Sequence, residues 1–133
     1  MKRVGFFGSA EEIAGATADV AHSWEPSVTD YLRQGAVVLS SPGWEDDRLN
    51  EDVKMISGSA AVLTDGEWIW PGSLAYYVST YHVNLPGEFI DHVASHGGKV
   101  ASVGTEALDA IADWLMMGEE PGVMEASSRR PST

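Results

Sequence analysis

The side chains best spaced for chemistry are His92 and His96, four residues apart in a segment whose pattern predicts a helix, with Glu88 one turn earlier. Side chains four apart on a helix are neighbours, so three potential metal ligands share one face. The residues between the histidines are Val93, Ala94 and Ser95, and the internal glutamate of an H-E-x-x-H zinc motif is therefore missing. A polar helix face with histidines near its C-terminus, where they interact favourably with the helix dipole, explains the same spacing without a ligand. On that reading no metal and no cofactor is expected.

Acid–base hydrolysis needs two carboxylates held in a cleft with their pKa values driven apart. Asp65 and Glu67 flank a turn, and Asp46, Asp47, Glu51 and Asp52 crowd one loop, but spacing does not separate catalytic acids from solvated ones. The chain has no cysteine, which removes thiol nucleophiles, thiolate metal sites and disulfides. It also has no G-x-S-x-G elbow, no P-loop and no G-x-G-x-x-G. No catalytic residue is assigned.

Charge says more than any motif. Lys and Arg number 8 against 20 Asp and Glu, a formal net charge of −12 with a pI near 4.5. A surface of that sign repels phosphate backbones and anionic lipid, which argues against nucleic acid and membrane partners and for a basic protein partner. The densest cluster is Trp44 to Asp52, where Glu45, Asp46, Asp47, Glu51 and Asp52 are answered by Arg48 alone. Between Lys54 and Lys99 there is no Lys or Arg, while Trp68 and Trp70 lie in that stretch. An acidic loop beside tryptophans suits the capture of a basic surface, since charge speeds encounter and a few aromatics hold the contact. The candidate partner-binding residues are Trp44, Glu45, Asp46, Asp47, Glu51, Asp52, Trp68 and Trp70. Trp68 and Trp70 point to the same side of their strand and Ile69 to the other. The pattern leaves open whether the indoles are core or a surface platform.

The elements that must position these groups centre on residues 60–83. Asp65-Gly66 between Ala60–Leu63 and Trp68–Trp70 is a two-residue hairpin signal, with the dipeptide taking positive φ. Pro71-Gly72 ends the second strand, and Leu74, Tyr77, Val78 and Tyr81 then follow helical spacing. Upstream, Val4, Phe6 and Phe7 predict a short strand. Ser9 and Glu12 form a capping box for a helix with Ile13, Thr17, Val20 and Ala21 on its inner face. Pro26 starts a second helix, Gly35 ends it, and Ala36–Leu39 reads as a strand. Val53–Ile56 and Ser59–Leu63 read as extended pieces. Downstream, Pro86 opens a helix carrying Phe89, Ile90 and Val93, and Val100–Val103 reads as a strand. Thr105 caps a final helix with the stripe Leu108, Ile111, Ala112, Leu115 and Met116. The fold class is α+β: a small antiparallel or mixed sheet with a D-G hairpin and helices packed on one face. Residues 1–117 form one globular domain, and 118–133, rich in Pro, Gly and Ser, a flexible tail.

The block TDGEWIWPGSLAYYVSTYHVNLPGEFIDHV resembles a pattern in small, mostly uncharacterised actinobacterial proteins: a D-G turn, two spaced tryptophans, a tyrosine-rich helix, then L-P and an acidic-aromatic helix start. Acidic α+β proteins of this build occur among bacterial immunity proteins, so the resemblance implies an inhibitor that neutralises a partner protein. It brings no active site with it. The apolar run after Lys2 and Arg3 ends at Phe7 and is followed by Glu11 and Glu12, unlike an export signal, and a cytoplasmic location is expected. The alternative is a small enzyme or ligand-binding domain with a pocket between the hairpin and the Leu74 helix, lined by Tyr76, Tyr77, Tyr81 or His82. A homodimer through the Leu108–Met116 helix is a third reading.

Overall fold

The computed structural model describes residues 1–40, 45–54, 56 and 58–117. Its element order is β1 (Lys2–Arg3), α1 (Ala10–Ala16), α2 (Glu25–Arg33), β2 (Ala36–Ser40), β3 (Ala61–Thr64), β4 (Trp68–Pro71), α3 (Leu74–Tyr81), α4 (Gly87–Ser95) and α5 (Thr105–Met117). The four strands form one mixed sheet in the order β1-β4-β3-β2, with β1 parallel to β4 and the other pairs antiparallel. The class is α+β.

The D-G signal produces the β3-β4 hairpin, in which Leu63 faces Trp70 and Thr64 faces Ile69. The turn is shifted by one residue from its expected frame. The Asp65 N–H donates to the Trp68 carbonyl at 3.3 Å, so Gly66 and Glu67 take the central positions and Gly66 supplies the positive φ of +99°. Asp65 stands before them, and its carboxylate accepts the N–H groups of Glu67 and Trp68 at 2.9 and 2.7 Å.

Which way Trp68 and Trp70 face is now answered, and Ile69 faces a core as well. Trp70 is fully buried and Trp68 4% exposed, packed with Tyr31, Leu32, Leu74, Val78 and Phe89 under α2, α3 and α4. On the opposite face Ile69 packs with Ile111 and Trp114 of α5, flanked by Val38 and Val62. Helices α1 to α4 thus share one face as expected, while α5 covers the other. β4 is an inner strand, and a strand buried on both faces reads as an unbroken apolar run, here Trp-Ile-Trp. Gly35 fits the same core: a Cβ there would lie 2.6 Å from the Trp70 ring.

Several elements depart from their expected bounds because distant groups claim their hydrogen bonds. α1 begins as expected, with Ser9 Oγ accepting the Glu12 N–H at 3.2 Å, but the Glu12 carboxylate reaches past Ser9 to the Gly8 N–H. It stops at Ala16, whose carbonyl is taken by the Asn84 N–H at 2.8 Å, and Val20 is left on the surface. The first strand is Lys2–Arg3 rather than Val4 to Phe7; the Lys2 and Val4 N–H groups donate to Glu67 and Ile69 of the hairpin. Val100–Val103 forms no strand, and the Val100 N–H is satisfied by the Gln34 side chain instead. In α5 the buried pair is Ile111 and Trp114, with Met116 on the surface. The expected tail, 118–133, lies outside the described residues. Among the described residues no helix is long and apolar enough to cross a membrane.

Candidate functional site

Two acidic centres order this molecule, and each is built around one buried carboxylate. The first is Asp65. Its Oδ1 holds the hairpin turn, which leaves Oδ2 aimed inward, where it accepts the Tyr31 hydroxyl at 2.5 Å and His92 Nε2 at 2.7 Å. The hairpin, α2 and α4 therefore meet at one side chain. Burial alone would push the Asp65 carboxyl up; the bonds from Tyr31, Trp68, Glu67 and His92 outweigh it and hold the pKa below the ordinary aspartate range. Burial, then the bond to Asp65, pushes the Tyr31 phenol well up, so it remains a neutral donor.

One helical turn beyond His92, His96 lies with its ring centroid 4.4 Å from that of His92. His96 Nδ1 is 2.9 Å from the His92 carbonyl. The carboxylate of Glu67 completes a group in which one ligand atom from each of Glu67, His92 and His96 lies within 4.8 Å of the others. Glu88, the third residue of the row read from the helix pattern, is not part of it. Lys2 of β1 draws the Glu88 carboxylate away into an ion pair at 2.7 Å. The turn supplies the carboxylate that the helix does not.

The second centre is Asp47. It was expected on the surface of the acidic loop and is 4% exposed, because it fastens that loop to α3. Its Oδ2 accepts the hydroxyls of Tyr76 and Tyr81 at 2.6 and 2.5 Å, and its Oδ1 the N–H groups of Leu49 and Asn50. The Arg48 N–H donates to the Tyr77 hydroxyl at 3.0 Å. Burial pushes the Asp47 carboxyl up, but these four donors prevail and its pKa is lowered. The same bonds raise the phenol pKa values of Tyr76 and Tyr81.

The remaining candidate residues divide cleanly. Asp46, Glu51 and Asp52 are exposed, and Glu45 is half-buried at the loop's start. Glu45 and Asp46 make long ion pairs of 3.7 Å with Arg48 and Lys54. Trp44 lies outside the described residues. Trp68 and Trp70 are interior packing, and a partner docking on the folded surface does not reach them.

The expected pocket between the hairpin and α3 exists as a cavity of about 450 Å³, but only Tyr76 of its four proposed lining residues borders it. Its walls are largely apolar, including Leu32, Val37, Leu63 and Trp70. Tyr77 lines a different cleft, beside Ala61, Val62 and Pro71 of the hairpin, and bonds the acidic loop as Tyr81 does, while His82 pairs with Glu25 at 3.0 Å. A second cleft, about 390 Å³, runs between residues 5–7 and the acidic loop; Phe6, Phe7, Glu45 and Arg48 are among its lining residues. Sequence reasoning gave Tyr31 no role at a site and Asp65 only its turn role, since the partners of Asp65 lie 34 and 27 residues away. No protein-family model, no curated protein and no solved structure matches the chain.

Proposed function

We propose that this is an acidic protein-binding module that captures a basic partner protein through the loop Glu45–Asp52, as an immunity-type inhibitor would. The observation that carries this reading is the Asp47 clasp. By tying the loop to Tyr76, Tyr77 and Tyr81 of α3, it presents Asp46, Glu51 and Asp52 on fixed backbone, with Glu45 at the edge. A loop ordered beforehand loses less conformational freedom on binding, so more of its electrostatic attraction survives as affinity. The ion pairs of Glu45 and Asp46 are long and solvent-facing; such pairs contribute about 0–1 kcal/mol and exchange readily for a partner's bases.

With the indoles of Trp68 and Trp70 buried, Phe6, which is 43% exposed and lines the cleft beside Glu45, offers an aromatic anchor next to the loop. The partner is accordingly a protein with a Lys- or Arg-rich surface and an apolar side chain that enters this cleft. The test is affinity capture at low salt from the source cells, comparing the native protein with a variant carrying Glu45→Gln, Asp46→Asn, Glu51→Gln and Asp52→Asn. Asp47 stays, because its removal would release the loop. A specific basic protein held by the native chain and lost by the variant supports the reading. Equal retention by both overturns it.

A further inference from the structure

We propose that Glu67, His92 and His96 form a binding site for a divalent first-row transition ion, zinc foremost, with Asp65 orienting His92 from behind. This goes beyond the partner-binding reading, since no residue of the acidic loop takes part.

The protonation pattern follows from what each histidine touches. His92 Nε2 lies 2.7 Å from Asp65 Oδ2, the same oxygen that accepts the Tyr31 hydroxyl, so this nitrogen carries a proton. In the neutral ring the lone pair is then on Nδ1. His96 Nδ1 lies 2.9 Å from the His92 carbonyl, again an acceptor only, so it too carries a proton and the lone pair is on Nε2. Each neutral imidazole thus keeps one nitrogen for a metal. The Glu67 carboxylate is exposed beside them, and no hydrogen bond or ion pair to its side chain occurs among the described residues.

One ligand atom from each of the three residues, a ring nitrogen or a carboxylate oxygen, lies within 4.8 Å of the other two. Zinc bonds of about 2.0–2.2 Å in tetrahedral geometry place ligand atoms roughly 3.5 Å apart. The remaining closure is within reach of a rotation of the exposed Glu67 side chain and a small turn of the His96 ring. Two imidazoles and one carboxylate suit zinc, copper or nickel, whereas magnesium and calcium take oxygen ligands. Asp65 supplies the support that metal-bound histidines commonly have, a carboxylate on the far ring nitrogen that fixes tautomer and orientation. Three protein ligands, Glu67 from the turn, His92 from α4 and His96 from its C-cap, leave a fourth position open to water or a small anion.

The test uses the full chain, stripped with a chelator and titrated with zinc alone by calorimetry, then with cobalt(II) read by visible absorption. Saturation at one ion per chain is expected. His96→Ala and Glu67→Gln alter exposed side chains that the core does not use, and each should weaken zinc at least about tenfold by removing one ligand. Asp65→Asn keeps all three ligands and should weaken zinc roughly 10- to 100-fold through the orientation of His92. The loop variant Asp46→Asn/Glu51→Gln should bind zinc as the native chain does. No saturable uptake, or an affinity unchanged in both His96→Ala and Glu67→Gln, overturns the proposal, as does loss confined to the loop variant.

Discussion

Replacing Asp65 with alanine removes the acceptor for four donors at once: the Glu67 and Trp68 N–H groups, the Tyr31 hydroxyl and His92 Nε2. The Glu67 N–H belongs to an exposed residue, where water replaces the carboxylate, and the His92 ring can carry its proton on the other nitrogen instead. The Tyr31 hydroxyl and the Trp68 N–H belong to buried residues and are left without a partner. Each buried orphan donor costs about 1–3 kcal/mol, so Asp65→Ala should destabilise the fold by roughly 2–6 kcal/mol. Relief of the carboxylate's own burial does not cancel this, because its lowered pKa means that the hydrogen bonds outweigh desolvation. Against a typical domain stability of about 5–15 kcal/mol, this is a large share. Urea unfolding followed by tryptophan fluorescence measures it, with Glu67→Gln as a surface control expected within about 0.5 kcal/mol of the native chain. A loss below about 1 kcal/mol would refute the role of Asp65 as the joint between hairpin, α2 and α4. The pH dependence has a definite sign. Asp65 and Asp47 both have folded pKa values below their unfolded ones, so their stabilisation is complete above about pH 4 and is lost as pH falls through the folded values.

All four tyrosines, Tyr31, Tyr76, Tyr77 and Tyr81, have raised pKa values, so the folded protein should show little tyrosinate absorbance near pH 10. Their stabilisation is complete below the unfolded value of about 10 and is lost as pH rises through the folded values, so ionisation should coincide with unfolding; four phenols titrating near 10 in the native state would contradict this. Trp70→Ala should cost about 3–5 kcal/mol in urea unfolding, as expected for an indole that is fully buried and donates to the Leu32 carbonyl at 3.0 Å. A loss under about 1.5 kcal/mol would mean that the β4 face is not packed as described.

The hairpin was legible because Asp-Gly between apolar runs is a local instruction, and α2 and α4 because Pro26 and Pro86 mark their starts. The frame of the turn was less so: Asp-Gly fits a hairpin either as its two central residues or with Asp just before them, and the dipeptide alone does not say which. The pattern Trp-Ile-Trp fixed which side chains share a face but not that both faces are covered, a fact that depends on α5 some 40 residues later. β1 joins β4 in parallel from the far end of the chain, and nothing near Lys2 announces it. The two carboxylate centres were hidden for a related reason. Asp65 had a sufficient local explanation in the turn, and Asp47 looked like one more solvated acid, so neither composition nor periodicity marked them as buried hubs. The row Glu88, His92 and His96 was visible as spacing; that Lys2 takes Glu88 while Glu67 replaces it is a product of tertiary packing.

The central claim is that the anchored acidic loop captures a basic protein. Its most direct measurement is the association rate of the captured partner as ionic strength rises, for the native chain and for the Glu45→Gln/Asp46→Asn/Glu51→Gln/Asp52→Asn variant. Electrostatic capture predicts a native rate that falls steeply with salt, from about 10–1000-fold above an uncharged encounter, and a variant rate that is slow and nearly flat. Two equal rates with the same salt dependence would contradict it.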